Sequence, residues 1–156
     1  MHVMQRRLLR IVSIVFTSVA AALCAVPAQA QKAPDKVLQE ILIKTTLLTF
    51  NDANLTENYT VLHARAAKQF RDQFPPERLQ EAFKSFVEQK INLSLIAAKE
   101  PIAAKEPEVD DRGVLSIVGH FDTTPSHVYY DLAYVRSDGE WRAVKINVNV
   151  KRPDSD

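Results

Sequence analysis

A histidine flanked at helical spacing by aromatic residues is the clearest candidate in this sequence for moving a proton. His63 stands four residues after Tyr59 and seven before Phe70, so on a helix the three share one stripe. That spacing turns it inward toward Tyr130 and Tyr134, and an imidazole that moves protons there would need its pKa tuned by burial and a partner. No carboxylate is placed on that inner face. Asp131 occupies an odd strand position beside Tyr130, and alternation aims it away. The other reading of His63 is a core histidine bonded to a backbone carbonyl or a tyrosine hydroxyl. A second constellation lies further along: His120 ends one strand-like run, His127 opens the next, and Asp122 falls between them. Two imidazoles and a carboxylate make a metal-ligand set. The spacing matches no His-x-His, His-Glu-x-x-His or cysteine-pair pattern, and loop-end histidines are commonly just solvated, so no metal is assigned from sequence. The three glycines, Gly113, Gly119 and Gly139, all serve turns or strands, which leaves no phosphate-cradling loop, and there is no Gly-x-Ser-x-Gly elbow. No cofactor is implied.

The strands that would carry these side chains centre on a hairpin from His127 to Val150, two β-branched and aromatic runs joined at Ser137-Asp138-Gly139. Val128, Tyr130, Leu132 and Tyr134 share one face of the first strand, and Val144, Ile146, Val148 and Val150 share one face of the second. A two-residue Asp138-Gly139 loop with regular pairing would set Leu132 opposite Lys145 and split the apolar faces. A three-residue loop sets Leu132 opposite Val144, Tyr130 opposite Ile146 and Val128 opposite Val148. The alternation therefore predicts a type I turn with Gly139 left-handed as a bulge. Tyr129, Ala133, Val135, Trp141 and Ala143 then occupy the other face. An exposed patch holding Trp141, Tyr129 and Val135 is an interface signal, and its expected partner is a second copy of the chain.

Residues 1–30 read as a cleavable signal peptide. Arg6, Arg7 and Arg10 precede an apolar run from Ile11 to Val26, and Ala28-Gln29-Ala30 is a small-x-small cleavage pattern. The run is shorter than the roughly 20 residues of a membrane span and ends at Pro27. Its loss removes Cys24, the single cysteine, so the exported domain would hold together by packing without disulfides. It also removes three of 20 Lys+Arg and none of 19 Asp+Glu, leaving a slightly acidic chain with no nucleic-acid footprint and no membrane association beyond the leader. Arg65, Lys68, Arg71 and Arg78 are interleaved with Asp72 and Glu77 and read as a solvated face.

Residues 31–34 form a short tether, 35–150 a single domain and 151–156 a polar tail. Asp35 caps a first helix with Val37, Leu38, Ile41, Leu42 and Leu48 at three- and four-residue spacing, expected to stop near Phe50 before Asn51-Asp52. Asn54-Leu55-Thr56-Glu57 has capping-box spacing for a second helix bearing Tyr59, Leu62, His63, Ala66 and Phe70. Pro75-Pro76 opens a third, with Leu79, Phe83, Phe86 and Val87 buried. From Ile91 the period changes to two. The tandem AAKEPI and AAKEP between Ala97 and Pro107 is confined by its prolines to an edge strand or irregular crossing. Asp110 to Gly113 is a turn, and Val114 to Phe121 is a strand set to pair Phe121 with Val128 and Gly119 with Tyr130. Three helices would cover one face of a curved antiparallel sheet of about four strands.

This order of elements, with Leu62-His63, Phe70-Arg71-x-Gln73, Phe83-x-x-Phe86, Pro101, Gly113-Val114-Leu115, Gly119, Pro125-Ser126 and the Asp131-Leu132-x-Tyr134-Val135 and Gly139-Glu140-Trp141 hairpin, resembles the NTF2-like superfamily of cone-shaped α+β (cystatin-like) domains. More narrowly, it is similar to short exported bacterial proteins of unknown function in that superfamily. The resemblance covers most of residues 35–150. It implies a cone whose mouth holds a small apolar ligand, lined here by Tyr59, His63, Phe83, Tyr130 and Tyr134, and dimerisation through the outer sheet face. The expectation is a periplasmic or secreted protein that acts as a non-catalytic small-ligand-binding or protein-interaction module. The alternative is a small cone-pocket enzyme with His63 as general base. Fold analogy does not choose between them.

Overall fold

The computed structural model describes residues 32–152. The leader, the first residue of the tether and most of the tail lie outside the described residues. The class expected from sequence, helices on an antiparallel sheet, is the class observed, with finer division: among the described residues there are five α-helices, a short 3-10 turn and five strands. Among the described residues no helix is long and apolar enough to cross a membrane.

Helix α1 (Lys36–Thr56) is the spine of the helical layer. The Asp35 side chain accepts the Leu38 N–H at 2.8 Å, the expected N-cap. The helix does not stop at Asn51-Asp52 but runs six residues past Phe50, ending on Glu57 in the left-handed conformation with its N–H on the Ala53 carbonyl. The reason is that Asn51 and Asn54 face the core as satisfied polar groups rather than competing with the helix backbone. Asn51 Oδ1 accepts the Leu93 N–H at 2.7 Å, and its amide reaches Ser94 Oγ at 3.3 Å. Asn54 donates to the Phe50 carbonyl and accepts the Tyr59 hydroxyl at 2.6 Å. The capping box expected at Asn54 is therefore absent, and Asn58 takes the N-terminal role by accepting the Thr60 N–H.

The second expected helix is two short ones, α2 (Thr60–Arg65) and α3 (Lys68–Gln73), broken where Ala66 and Ala67 turn extended. That break lets the Ala67 N–H donate to the Ala143 carbonyl at 2.9 Å, which ties the helical layer to the edge of the sheet. The third is likewise divided into α4 (Pro76–Ala82) and α5 (Lys84–Glu88) around Phe83. Phe83 and Phe86 pack edge-on against Phe50, with ring centroids 4.8 and 5.1 Å away. Ser94–Ala98, expected to have strand periodicity, forms the 3-10 turn that Asn51 holds.

The sheet order is edge, β3 (Leu115–Phe121), β4 (His127–Ser137), β5 (Glu140–Lys151). Two-residue strands β1 (Ile102–Ala103) and β2 (Glu108–Val109) pair antiparallel with different parts of β3, so the duplicated Pro-containing segment forms an interrupted edge. Asp110 holds the turn into β3 by accepting the Val114 and Arg112 N–H groups at 2.9 Å. The expected β3–β4 register is observed: Gly119 faces Tyr130 and Phe121 faces Val128. A Cβ at Gly119 would lie 2.5 Å from the Tyr130 hydroxyl and collide with the Ile102 carbonyl oxygen, so glycine is required where the ring and β1 converge.

The hairpin differs from expectation. Asp138 and Gly139, at φ of 53° and 81°, form a two-residue turn of the I′ kind, and Ser137 pairs with Glu140. Pairing then runs Arg136 with Trp141 and Tyr134 with Ala143, until a bulge leaves Val144 unpaired and sets Ala133 opposite Lys145. Leu132 consequently faces Ile146, Tyr130 faces Val148 and Val128 faces Val150. The bulge, rather than a longer loop, reconciles the turn with the alternation. One consequence overturns the expected outer patch: ahead of the bulge, Trp141 and Ala143 share the inner face with Tyr134, and both are buried.

Replacing Asn51 with alanine strands the buried Leu93 N–H, and the expected loss is about 2 kcal/mol of unfolding free energy. Asp52→Ala, one residue on and exposed, is expected to stay within about 0.5 kcal/mol of the parent. Urea unfolding of the two variants checks this, and equal losses would contradict the asparagine anchor.

Candidate functional site

The inward turn of Trp141 opens a cavity of about 430 Å³ between the first half of α1, helix α2 and the tip of the hairpin. Its apolar wall comes from Leu38, Ile41, Leu42, Leu62, Trp141 and Ile146. Leu38 and Ile41 are among the exposed large hydrophobic residues, so the wall continues out to the mouth. Thr45, Thr46 and Thr49 add hydroxyls along the same side of α1. Arg65, Arg136 and Arg142 border the space with one carboxylate, Glu140, which gives it an excess of positive charge.

Several of these polar groups have defined partners. The Leu42 carbonyl can only accept, so the Tyr134 hydroxyl donates to it at 3.0 Å, and Thr46 Oγ1, also at 3.0 Å, donates to Tyr134. Arg136 donates to the Gly139 carbonyl at 2.6 Å and lies over the Trp141 ring, 5.1 Å from its centroid. Arg65 reaches Thr49 Oγ1 at 3.4 Å. Arg142 pairs with Glu140 at 3.3 Å, while its Nε is buried with no hydrogen-bond partner.

Of the five residues expected to line a ligand site, only Tyr134 reaches this cavity. Tyr59 and Phe83 stack on each other, 6.3 Å between centroids, within the aromatic cluster of the helices. Tyr130 packs against Phe121 at 5.6 Å, across Gly119. His63 does not point to the two tyrosines. Its half-buried Nε2 donates to the Arg71 carbonyl at 3.1 Å, while the Arg71 guanidinium donates to the Ala66 carbonyl at 2.5 Å, so the ring braces the α2–α3 junction. The continuous helix that would have aimed it inward is broken at Ala66. Of the expected outer-face residues, Tyr129 is exposed, Val135 is half-buried and Trp141 faces inward. That face also carries Ala133 and Val118 beside polar pairs such as Lys145 bonded to Asp131 at 2.5 Å. The missed wall residues had one available signal: Asp-Gly is a strong two-residue hairpin dipeptide, and that turn alone places Trp141 on the Tyr134 face.

Comparisons with protein-family models, with curated proteins and with solved structures find no match to this chain.

Burial pushes the Tyr130 phenol up to about 12. The same cause raises Tyr134 further, against the pull of its Thr46 bond, and raises Tyr59 with help from Glu57. The folded state therefore holds protons that the unfolded chain releases near pH 10. The associated stability is fully present below pH 10 and is lost as pH climbs toward 12 and beyond. Phenolate absorbance followed beside circular dichroism should show three of the four tyrosines ionising late, together with unfolding. Smooth ionisation of all four near pH 10 in folded protein would contradict the burial.

Proposed function

We propose that this chain is an exported, non-catalytic module that binds a small, mostly apolar molecule with an anionic end in the α1–hairpin cavity. The observation that carries the reading is the lining itself: apolar side chains from α1 and β5 enclose the space, and three arginines against one glutamate border it. A volume of about 430 Å³ suits a small organic ligand, since such sites run from about 300 to 1,000 Å³. The excess of guanidinium groups at the border supports the anionic end, because a carboxylate makes charge-assisted hydrogen bonds with such donors. The cavity contains no histidine, and its one tyrosine hydroxyl is already committed in both directions. That arrangement favours binding over proton transfer. Export rests on the leader pattern, and the α+β architecture is compatible with the NTF2-like resemblance.

Trp141 is the only tryptophan, so its emission reports directly on the cavity. Titration with decanoate is expected to give a saturable change, and decanol, of equal chain length but neutral, should bind at least about tenfold more weakly for want of a charge-assisted bond. Ile41→Asp at the mouth should abolish the response while the circular dichroism spectrum is unchanged. No saturable change with either compound would remove the reading.

A further inference from the structure

We infer that His120, Asp122 and His127 form an open binding site for a divalent transition-metal ion, zinc first. It lies on the outer face of the sheet, at the end of β4 remote from the hairpin tip, and is independent of the cavity. Positions 115, 117, 119 and 121 of β3 face the core, so His120 points out, and it pairs with Tyr129, which shares its face with His127. The sequence offered this set only as neighbours across a loop. The structure brings their donor atoms together: Asp122 Oδ1 lies 3.1 Å from His120 Nε2 and 3.5 Å from His127 Nδ1, and all three atoms are within 4.8 Å of one another.

The two separations from Asp122, 3.1 and 3.5 Å, are close to those a metal requires. With bonds of about 2.0–2.1 Å in a tetrahedral shell, neighbouring ligand atoms sit about 3.3 Å apart. The carboxylate already stands at that spacing from each imidazole, and the two histidine nitrogens, within 4.8 Å of each other, close the rest of the way on binding. The imidazoles are also held in advance, since their side chains are only 26% and 25% exposed. Their rings stack 5.8 Å apart at 15°, and His120 stacks on Tyr129 at 5.5 Å. Asp122 is the exposed partner, at 57%, on a loop fixed by the Thr123 hydroxyl donating to the Ser126 carbonyl. Solvent thus reaches the ligand atoms from the Asp122 side.

Donor chemistry selects the ion. Two imidazole nitrogens with one carboxylate suit zinc and its first-row neighbours, whereas magnesium and calcium favour all-oxygen sets. Three protein ligands leave at least one coordination position to water, the composition of an open rather than a closed site. Beside it, His120 and Tyr129 also border a shallow depression of about 240 Å³ that includes Asn147 and Asn149. The site therefore adjoins, through His120, a surface that carries amide groups.

The test uses the purified full chain without a polyhistidine tag, stripped with chelator and dialysed. Calorimetric titration with Zn²⁺ is expected to show one-to-one uptake, and Co²⁺ should give visible d–d absorption. The double variant His120→Gln/His127→Gln should lose both signals, while His63→Gln keeps them. Absent uptake, or uptake undiminished in a folded double variant, would overturn the site. Should the double variant fail to fold, histidine-ring resonances of the parent protein decide. Zn²⁺ is expected to shift those of His120 and His127 and spare His63, and any other pattern overturns the assignment.

Discussion

The parity of the β4–β5 hairpin is the constraint on which the rest of the structure depends. A two-residue Asp138-Gly139 turn, with both residues at positive φ, fixes Ser137 opposite Glu140. Strict alternation from there would expose Ile146, Val148 and Val150, and the single unpaired residue Val144 corrects the phase. Both sides of the bulge then feed the same inner face: Trp141 and Ala143 before it, the aliphatic run after it. The two-residue turn sets Trp141 on the inner face beside Tyr134 and α1. Without the bulge the cavity would lose Ile146 from its wall.

Helix α1 supplies the opposite wall, and polar groups buried along it hold it in place. Tyr134 reaches across to the Leu42 carbonyl and Thr46, and Asn51 clamps the 3-10 turn through Leu93. Such bonds add little net energy when made and cost much when broken, so they fix position more than they stabilise. The contact between the Ala67 N–H and the Ala143 carbonyl works likewise, using the free edge of β5 to dock the α2–α3 junction. His63 belongs to that junction. Its ring serves a backbone carbonyl, a role set by where the helix breaks.

Much of the architecture was legible from periodicity. Asp35 announced the start of α1, the prolines confined residues 97–107 to an edge, and the small Gly119 opposite Tyr130 set the β3–β4 register. What was not legible arose where side chains satisfy partners far along the chain. Asn51 and Asn54 look like helix breakers until their acceptors and donors at Leu93 and Tyr59 are known. The Ala66–Ala67 break carries no glycine or proline to mark it. The bulge at Val144 is invisible to alternation because a three-residue loop repairs the same phase. Choosing that loop put Trp141 on the wrong face, and with it went the walls of the cavity. The His120, Asp122 and His127 set was visible only as three residues near a loop, because their convergence depends on the β3–β4 register together with the shape of the connection.

The hairpin register is most directly tested by cross-strand nuclear Overhauser contacts between β4 and β5 in the isotopically labelled protein. The bulged register requires contacts from Leu132 to Ile146, from Tyr130 to Val148 and from Tyr134 to Ala143, with the Trp141 indole close to α1. Contacts from Leu132 to Val144 and from Tyr130 to Ile146 would instead establish the longer loop, return Trp141 to the outer face and remove the cavity.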